Sequence, residues 1–163
     1  MKKILAFTAL AGALLATGLH AQEPVTGSPD ESLFTDPDPV KNTNKQAALH
    51  IMRELLQCNH WSDAGNWLTD KYIQHNPNAA SGLQGVIVFF TQVMKREPTA
   101  DCSKLTTPIT AVLAEDDLVT VVIPREYTNP NTGAKYTTTW FDMWRFVDGK
   151  ADEHWDPATV NAQ

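Results

Sequence analysis

The spacing of apolar residues changes once along this chain, from a helical period before Pro98 to short β-rich runs after it. The helical spacing predicts three helices, over residues 45–57, 63–68 and 83–97. The later runs predict four strands, over residues 109–113, 118–127, 136–147 and 151–156. Three helices followed by antiparallel strands predict an α+β domain in which the helices close one side of a curled sheet and leave a pocket.

The first 21 residues have the three parts of a cleavable signal peptide. Lys2 and Lys3 give a positive start, an apolar run extends from Ile4 to Leu15, and the segment ends at Ala21. The run is too short to span a bilayer comfortably, so we expect cleavage after Ala21 and export to the periplasm or the medium. The alternative is an uncleaved membrane anchor. After cleavage we expect no membrane association.

Residues 22–39 differ in composition from the rest of the chain. They contain four prolines and several acids, with little beyond Leu33 and Phe34 to bury, which predicts a flexible polar leader. Residues 40–163 then form a single domain that can bury one core. The formal net charge is −6 and no Lys/Arg cluster is present, so nucleic acid is a poor candidate partner.

The chain contains two cysteines, Cys58 and Cys102. Two cysteines of one exported domain often pair, and both lie just outside predicted elements, where one backbone segment can approach another. We therefore expect a Cys58–Cys102 disulfide. The alternative is that each is a small buried thiol.

The last two predicted strands form a hairpin whose side chains carry the candidate site. Gly149 after Asp148 predicts a three-residue loop, 147–149, with a bulge. A two-residue loop would instead place Asp142 with Glu153 and Trp155. The three-residue register gives a face of aromatic and ionisable side chains, as in a ligand pocket. Its members are Trp140, Asp142, Trp144 and Phe146 from one strand with Asp152, His154 and Asp156 from the other.

Four segments of the domain carry a family resemblance. They are Tyr72-Ile73-Gln74-His75-Asn76-Pro77, Phe141-Asp142-Met143-Trp144-Arg145-Phe146, Asp148-Gly149-Lys150 and Glu153-His154-Trp155-Asp156. Together they resemble the SnoaL-like polyketide cyclases of the nuclear-transport-factor-2-like superfamily. The resemblance covers nearly the whole domain. It implies a cone, in which a strongly curved antiparallel sheet wraps around a pocket with three helices across its mouth.

The resemblance also implies positions for catalysis. The cyclases use an Asp on the last strand as the acid/base of an intramolecular aldol closure, and Asp156 matches that position. Asp142 and His154 match pocket positions, and His75 lies in the matching segment before the third helix. A carboxylate can remove a proton next to a carbonyl when a donor holds the enolate, so no cofactor is expected. The expected ligand-binding side chains are Tyr72, Asn76, Trp140, Trp144 and Phe146.

Each catalytic candidate also has a structural interpretation. Asp156 can cap the turn that follows it, and His75 can tie a loop to the backbone. Asp142 can pair with His154 or with Arg145. We expect no metal site, because a few His and Asp residues from separate segments often occur together by accident and no helical His pair supports one.

These observations lead to three functional hypotheses. The first is cofactor-free acid/base chemistry of the aldol cyclase, isomerase or dehydratase type on a small carbonyl compound. The second is a carrier that binds a small apolar ligand without turnover, and the third is an interaction module that uses its sheet surface. Family members usually pair through the open face of the sheet. Phe141, Met143 and Trp155 are large and apolar there, so we expect a homodimer.

Overall fold

The computed structural model describes residues 23–160, so the predicted signal peptide and its cleavage site lie outside the described residues. Within this range, helical segments come first and most of the sheet follows, which confirms the predicted α+β class. No helix in residues 23–160 is both long enough and apolar enough to cross a membrane.

Two of the helical segments change from α to π geometry along their length. Helix α1 begins earlier than predicted because the Asp38 side chain accepts hydrogen bonds from the N–H groups of Val40 and Lys41, and Pro39 suits the first helical position. The bounds are α1 Pro39–His50 with its π continuation Ile51–Gln57, a 3₁₀ helix Trp61–Asn66, and α2 Leu83–Val88 with its π continuation Phe89–Val93.

Within the described residues, five strands form one curved sheet that does not close into a barrel. The strands are β1 Leu68–Gln74, β2 Ala111–Glu115, β3 Leu118–Thr128, β4 Lys135–Val147 and β5 Lys150–Trp155. Their order is β1-β5-β4-β3-β2, and neighbours are antiparallel except β1, which runs parallel to β5. The cone implied by the resemblance is therefore confirmed, with a mixed rather than wholly antiparallel sheet.

Strand β1 is the element that the sequence does not predict. Only Leu68 and Tyr72 are buried in it, and its register with β5 is irregular between Leu68 and Ile73. The strict alternation of buried and exposed side chains that marks a strand is therefore missing. The strand matters for the site because it places Tyr72 and Gln74 beside β5.

The segment expected to be a flexible leader packs on the domain. Ser28 and Ile109 exchange two backbone hydrogen bonds, of 3.1 and 2.8 Å. The short 3₁₀ helix Glu31–Phe34 places the Phe34 side chain in the core, where it is fully buried. Burial of one phenylalanine side chain contributes about 1.5–3 kcal/mol to the stability of the fold. The core therefore includes a residue from before the predicted domain boundary at residue 40.

The hairpin between β4 and β5 has a two-residue turn, so the predicted 147–149 loop is wrong. Val147 pairs directly with Lys150, and both turn residues have positive φ, 49° at Asp148 and 75° at Gly149. Two successive positive φ values are typical of the type I′ turn, which matches the twist of a hairpin.

A bulge in β5 then shifts the register by one residue. Phe146 pairs with Ala151, whereas its neighbour Arg145 pairs with Glu153, so Asp152 is the extra residue. Beyond the bulge Trp144 pairs with His154. The shorter turn and the bulge together shift the pairing by two residues from the predicted register, so the inner residues of β4 again lie on the same face as His154.

Cys58 and Cys102 are joined by a disulfide, with their Cα atoms 6.0 Å apart. Cys58 directly follows the π continuation of α1, and Cys102 lies in the long loop after α2. The bond therefore fixes that loop to the helical layer.

Candidate functional site

A cavity of about 600 Å³ lies between the helices and the sheet. Cavities of this size bind small organic molecules. Its walls combine apolar and polar side chains. The apolar and aromatic ones include Met52, Leu55, Trp61 and Phe90 on the helical side and Tyr72, Ile123, Trp140 and Trp144 on the sheet side. At one part of the cavity, polar side chains enter from the end of β1, from β4 and from the end of β5; they are Gln74, Asn76, Asp142, His154 and Asp156.

Three titratable side chains converge in this cavity. Asp142, His154 and Asp156 each place one oxygen or ring nitrogen within 4.8 Å of the other two. Asp142 and His154 are buried, with 6% and 7% of their surface exposed. Strands β4 and β5 bring them together because Asp142 and His154 project from the same face of paired strands.

Gln74 determines which ring nitrogen of His154 carries a hydrogen. The Gln74 Oε1 atom accepts a 3.1 Å hydrogen bond from the backbone N–H of Asn76 and lies 2.7 Å from His154 Nδ1. An amide oxygen can only accept, so His154 Nδ1 carries the hydrogen and donates it to Gln74. The other nitrogen, Nε2, is left to face Asp142.

The contact between His154 and Asp142 requires one shared proton. His154 Nε2 lies 3.2 Å from Asp142 Oδ1, and the same oxygen accepts a 3.2 Å hydrogen bond from Trp140 Nε1. With Nδ1 already protonated, this contact is a hydrogen bond only when a proton sits on Nε2 or on the carboxyl group. The pair is therefore arranged to hold one transferable proton beside the cavity.

Asp156 is held in place by two N–H donors. Asn76 Nδ2 donates to its Oδ2 at 2.8 Å, and the backbone N–H of Ala158 donates to its Oδ1 at 2.9 Å. Asn76, which was expected to bind the ligand directly, lines the cavity and also positions this carboxylate. Hydrogen bonds of this kind fix the direction in which a carboxylate can accept a proton.

Tyr72 presents a hydroxyl group near the same residues. Its oxygen accepts a 3.2 Å hydrogen bond from Trp144 Nε1. Burial raises the pKa of the Tyr72 hydroxyl, and the negative charges of Asp142 and Asp156 raise that pKa further, although the Trp144 bond opposes them. The hydroxyl therefore stays protonated. Among residues 23–160 its hydrogen has no acceptor, so it can donate to a ligand oxygen.

The structure places His75 away from this cluster, which corrects its prediction as a catalytic residue. His75 Nε2 lies 2.7 Å from Glu153 Oε1, and the imidazole stacks on Trp155 with ring centroids 4.9 Å apart. The physical reason is strand alternation, because Gln74 pairs with His154 and the next side chain points to the opposite face of the sheet.

Two further predicted pocket residues also lie elsewhere. Phe146 is 4% exposed and packs in the core, but it does not line the cavity. Asp152, as the extra residue of the bulge, turns to the outer face, where it bonds Thr69, Lys71 and Arg145. Trp140 and Trp144 do line the cavity, as do Tyr72 and Asn76.

The outer face of the hairpin carries a second cluster of charged groups. The hydrogen bond from Thr69 Oγ1, with help from Lys71 and Arg145, lowers the pKa of Asp152 below its ordinary value. Hydrogen bonds from His75 and then Arg145 lower the pKa of Glu153. Asp152 is as buried as Asp142, but it and Glu153 are paired with cations, whereas among residues 23–160 Asp142 is bonded only by an imidazole and an indole N–H.

Gln74 is a residue of the proton-transfer cluster that sequence reasoning missed. It lies within the segment Tyr72–Pro77 that carried the resemblance, two residues before Asn76. Recognising β1 as a strand would have placed Gln74 and Tyr72 on one face and His75 on the other. The glutamine side chain is uncharged, so composition alone does not identify Gln74 as a site residue.

Comparison with known proteins connects this geometry to a family. The model of the SnoaL-like domain matches residues 51–154, which include Gln74, Asp142 and His154 and end just before Asp156. No curated protein gives a significant match.

Solved structures share the fold at low sequence identity. A candidate SnoaL-like polyketide cyclase from a Jannaschia species superimposes with a TM-score of 0.53 at 18% identity, covering 76% of this chain and 91% of that chain. A candidate polyketide cyclase from Bacillus cereus gives a TM-score of 0.50 at 16% identity, covering 85% and 87%. One from Acidithiobacillus ferrooxidans gives 0.51 at 16% identity, covering 70% and 86%. At these identities the similarity establishes the fold alone.

Proposed function

This chain belongs to the SnoaL-like domain family, and from that membership we propose that it performs cofactor-free acid/base chemistry on a small carbonyl compound. One observation carries the proposal. The Asp142–His154 pair needs a shared proton, and the Asp156 carboxylate lies within 4.8 Å of it in the same cavity. Proton transfer at a carbonyl compound requires a base and an acid that both reach the same part of the cavity.

Asp156 is the proposed base. Asn76 and Ala158 hold its two oxygens, and it removes a proton from the carbon next to the ligand carbonyl. The negative charge that develops on the carbonyl oxygen is stabilised by the Tyr72 O–H and by the proton held between His154 and Asp142. Each positioned proton transfer of this type accelerates a reaction by about 10²–10⁴.

The enolate formed in this way has two outcomes that need no cofactor. Its carbon can attack a second carbonyl of the same molecule, which forms a C–C bond and leaves an alkoxide that takes the proton from His154. Alternatively, when a C=C bond extends the enolate, Asp156 returns its proton to the far carbon of the conjugated system, which gives an isomer. In both cases, proton exchange among Asp156, the His154–Asp142 pair and solvent restores the starting state.

Isotope exchange tests the proposal without knowledge of the natural substrate. The probe is 2-tetralone, an apolar bicyclic ketone, and the measurement is deuterium uptake next to its carbonyl in D₂O with EDTA present. We expect the protein to accelerate uptake and Asp156→Asn to lower the rate by about 10²–10⁴. Asp152→Asn is the matched control, because it makes the same change on the outer face of the same hairpin.

Each other result would contradict part of the proposal. Binding of 2-tetralone without acceleration would favour a carrier of apolar ligands. Equal rates in wild type and Asp156→Asn would reject Asp156 as the base. A rate that is lost with EDTA and restored by a divalent cation would assign Asp142, His154 and Asp156 to metal binding instead.

We further propose export with cleavage after Ala21, on the sequence pattern of residues 1–21. Mass spectrometry of periplasmic material should then give a mature protein that begins at Gln22. Recovery of the chain with Met1 intact, or in the cytosol alone, would contradict export.

A homodimer through the outer face of the sheet is also proposed. Phe141 is 45% exposed there, and Met143 and Trp155 lie on the same face. Sedimentation at micromolar concentration should show a dimer, and Phe141→Lys should weaken it. A monomer at the highest soluble concentration would reject this interface.

A further inference from the structure

Two arginines of the cavity have no acidic partner in the part of the chain that the structure describes. Arg96, in the loop after α2, and Arg125, near the end of β3, both line the cavity. The chain's other arginines form ion pairs, Arg53 with Glu31 and Arg145 with Glu153. Within residues 23–160, no Asp or Glu oxygen lies within 4.0 Å of the Arg96 or Arg125 guanidinium. In a chain with 19 acidic residues, two unpaired arginines at one cavity require an explanation.

Arg125 is held in a geometry that leaves its donors free. Its guanidinium lies 3.6 Å from the centroid of the Trp140 ring. Stacking uses the flat face of the group, whereas its N–H donors point outward in its plane. None of these N–H groups donates to a protein acceptor among the described residues. They can therefore bind a carboxylate through two parallel hydrogen bonds.

Trp140 connects this cation to the proton-transfer residues. Its Nε1–H donates to Asp142, and its ring face supports Arg125. Along β3, Arg125 is four residues beyond Val121, the residue that pairs with Asp142, which corresponds to about 13 Å along the strand. The two backbone positions are thus separated along the strand, whereas the Trp140 indole contacts both side chains, Arg125 through its ring face and Asp142 through its Nε1–H.

Arg96 comes from the helical side of the cavity. Its backbone N–H donates to Phe90 O at 2.9 Å, and the loop that follows is fixed by the Cys58–Cys102 disulfide. The backbone N–H of Thr99 also donates to Cys58 O at 2.9 Å. The exposed Arg96 is therefore held at the outer part of the cavity, opposite the sheet.

We propose that the ligand of this cavity is an amphipathic anion. Its carboxylate binds Arg125 and Arg96 at the outer end, its flat apolar body lies between the aromatic side chains of the helices and those of the sheet, and its carbonyl reaches His154. Repulsion from Asp142 and Asp156 keeps the carboxylate at the arginine end and so orients the molecule. The inference names a substrate class for the proposed function, and only the placement of the carbonyl rests on that function.

A pair of fluorescent probes separates charge from apolar contact. The compounds 8-anilino-1-naphthalenesulfonate and N-phenyl-1-naphthylamine share one aromatic framework, and only the first carries a negative charge. Titration should show tighter binding of the sulfonate to the wild type. Arg125→Gln should weaken sulfonate binding about tenfold, the loss expected for one charge-assisted contact, and leave binding of the neutral amine unchanged. Arg96→Gln should act in the same direction with a smaller factor.

Lys95→Gln is the matched control, because it removes one positive charge next to Arg96 from a residue that does not line the cavity. It should leave both dissociation constants unchanged. An equal loss for both probes in Arg125→Gln, or no preference for the sulfonate in the wild type, would overturn the inference. This experiment measures binding, so its failure can be distinguished from a failure of the isotope-exchange test. Asp156→Asn should retain sulfonate binding even if no turnover is ever found.

Discussion

The two faces of the β4–β5 hairpin carry similar residue types in opposite electrostatic settings. On the outer face, Asp152 and Glu153 are bonded by Lys71 and Arg145, and both carboxyl groups have lowered pKa values. On the inner face, Asp142 meets only an imidazole and an indole N–H, and no Lys or Arg of residues 23–160 lies within 4.0 Å of it.

This difference separates structural from chemical roles. A carboxylate paired with fixed cations keeps its charge and stabilises the fold. A carboxylate that shares a proton with an imidazole has no such partner and can pass the proton on. Both clusters come from adjacent positions of two strands, so residue type alone does not reveal which one is functional.

The largest expected effect is on the inner face. Asp142→Asn removes the group that shares a proton with His154, and we expect the isotope-exchange rate to fall by about 10²–10⁴. An asparagine has the same shape, so the melting temperature should change little. Glu153→Gln on the outer face is the control and should keep its rate. Equal loss of rate in both variants would remove the distinction between the faces.

The second effect is on stability and belongs to the outer face. Asp152→Asn loses the charge-assisted bonds from Thr69, Lys71 and Arg145, and should lower the free energy of unfolding by about 2 kcal/mol at pH 7. Because the folded pKa of Asp152 is lowered, this stabilisation is present above the unfolded value of about 3.9 and is lost as the pH falls through the folded value.

Denaturant titration of wild type and Asp152→Asn at pH 7 and at pH 3 measures that dependence. The difference between the two proteins should shrink at the lower pH. A difference that stays constant across this range would mean that the charge of Asp152 has no part in its stabilising role.

A third, smaller effect concerns Gln74, a positioning residue. Gln74→Met removes the acceptor for His154 Nδ1–H and should lower the exchange rate about tenfold, the worth of one neutral hydrogen bond. Gln74→Glu keeps an acceptor at the same place and should restore much of the rate. If both variants lose the same rate, Gln74 acts only through packing.

The smallest effect is expected for His75. His75→Gln removes an exposed contact to Glu153 and should cost about 0.2–1 kcal/mol of stability, with no change in the exchange rate. Loss of turnover in this variant would return His75 to the catalytic set.

Much of the fold was predictable because its signals are local. The helical stripe before Pro98 and the β-rich runs after it follow directly from apolar spacing, and both confirm the predicted class. Strand β1 was missed because it pairs with β5 across more than 70 residues and buries only two side chains. Its existence depends on contacts that local spacing does not contain.

The candidate site was predictable in part because strand alternation is also a local signal. Asp142 and His154 lie on one face of a hairpin, and alternation places them together even though the predicted turn was wrong. The shorter turn and the bulge at Asp152 each shift the register by one residue in the same direction, so the total shift of two residues returns His154 to the predicted face, although its partner is Trp144. Asp152 and His75 were also predicted in the pocket, but both lie on the outer face.

The hydrogen on His154 gives the most direct test of the proposed inner-face chemistry. Nitrogen-15 NMR of the imidazole at neutral pH should show Nδ1 carrying a hydrogen that is protected from solvent exchange by Gln74. The Nε2 signal should change in Asp142→Asn, because the proton shared with the carboxyl group is lost. A ring with its hydrogen on Nε2 alone, or an Nε2 signal that is identical in Asp142→Asn, would contradict the shared proton and the acid/base function built on it.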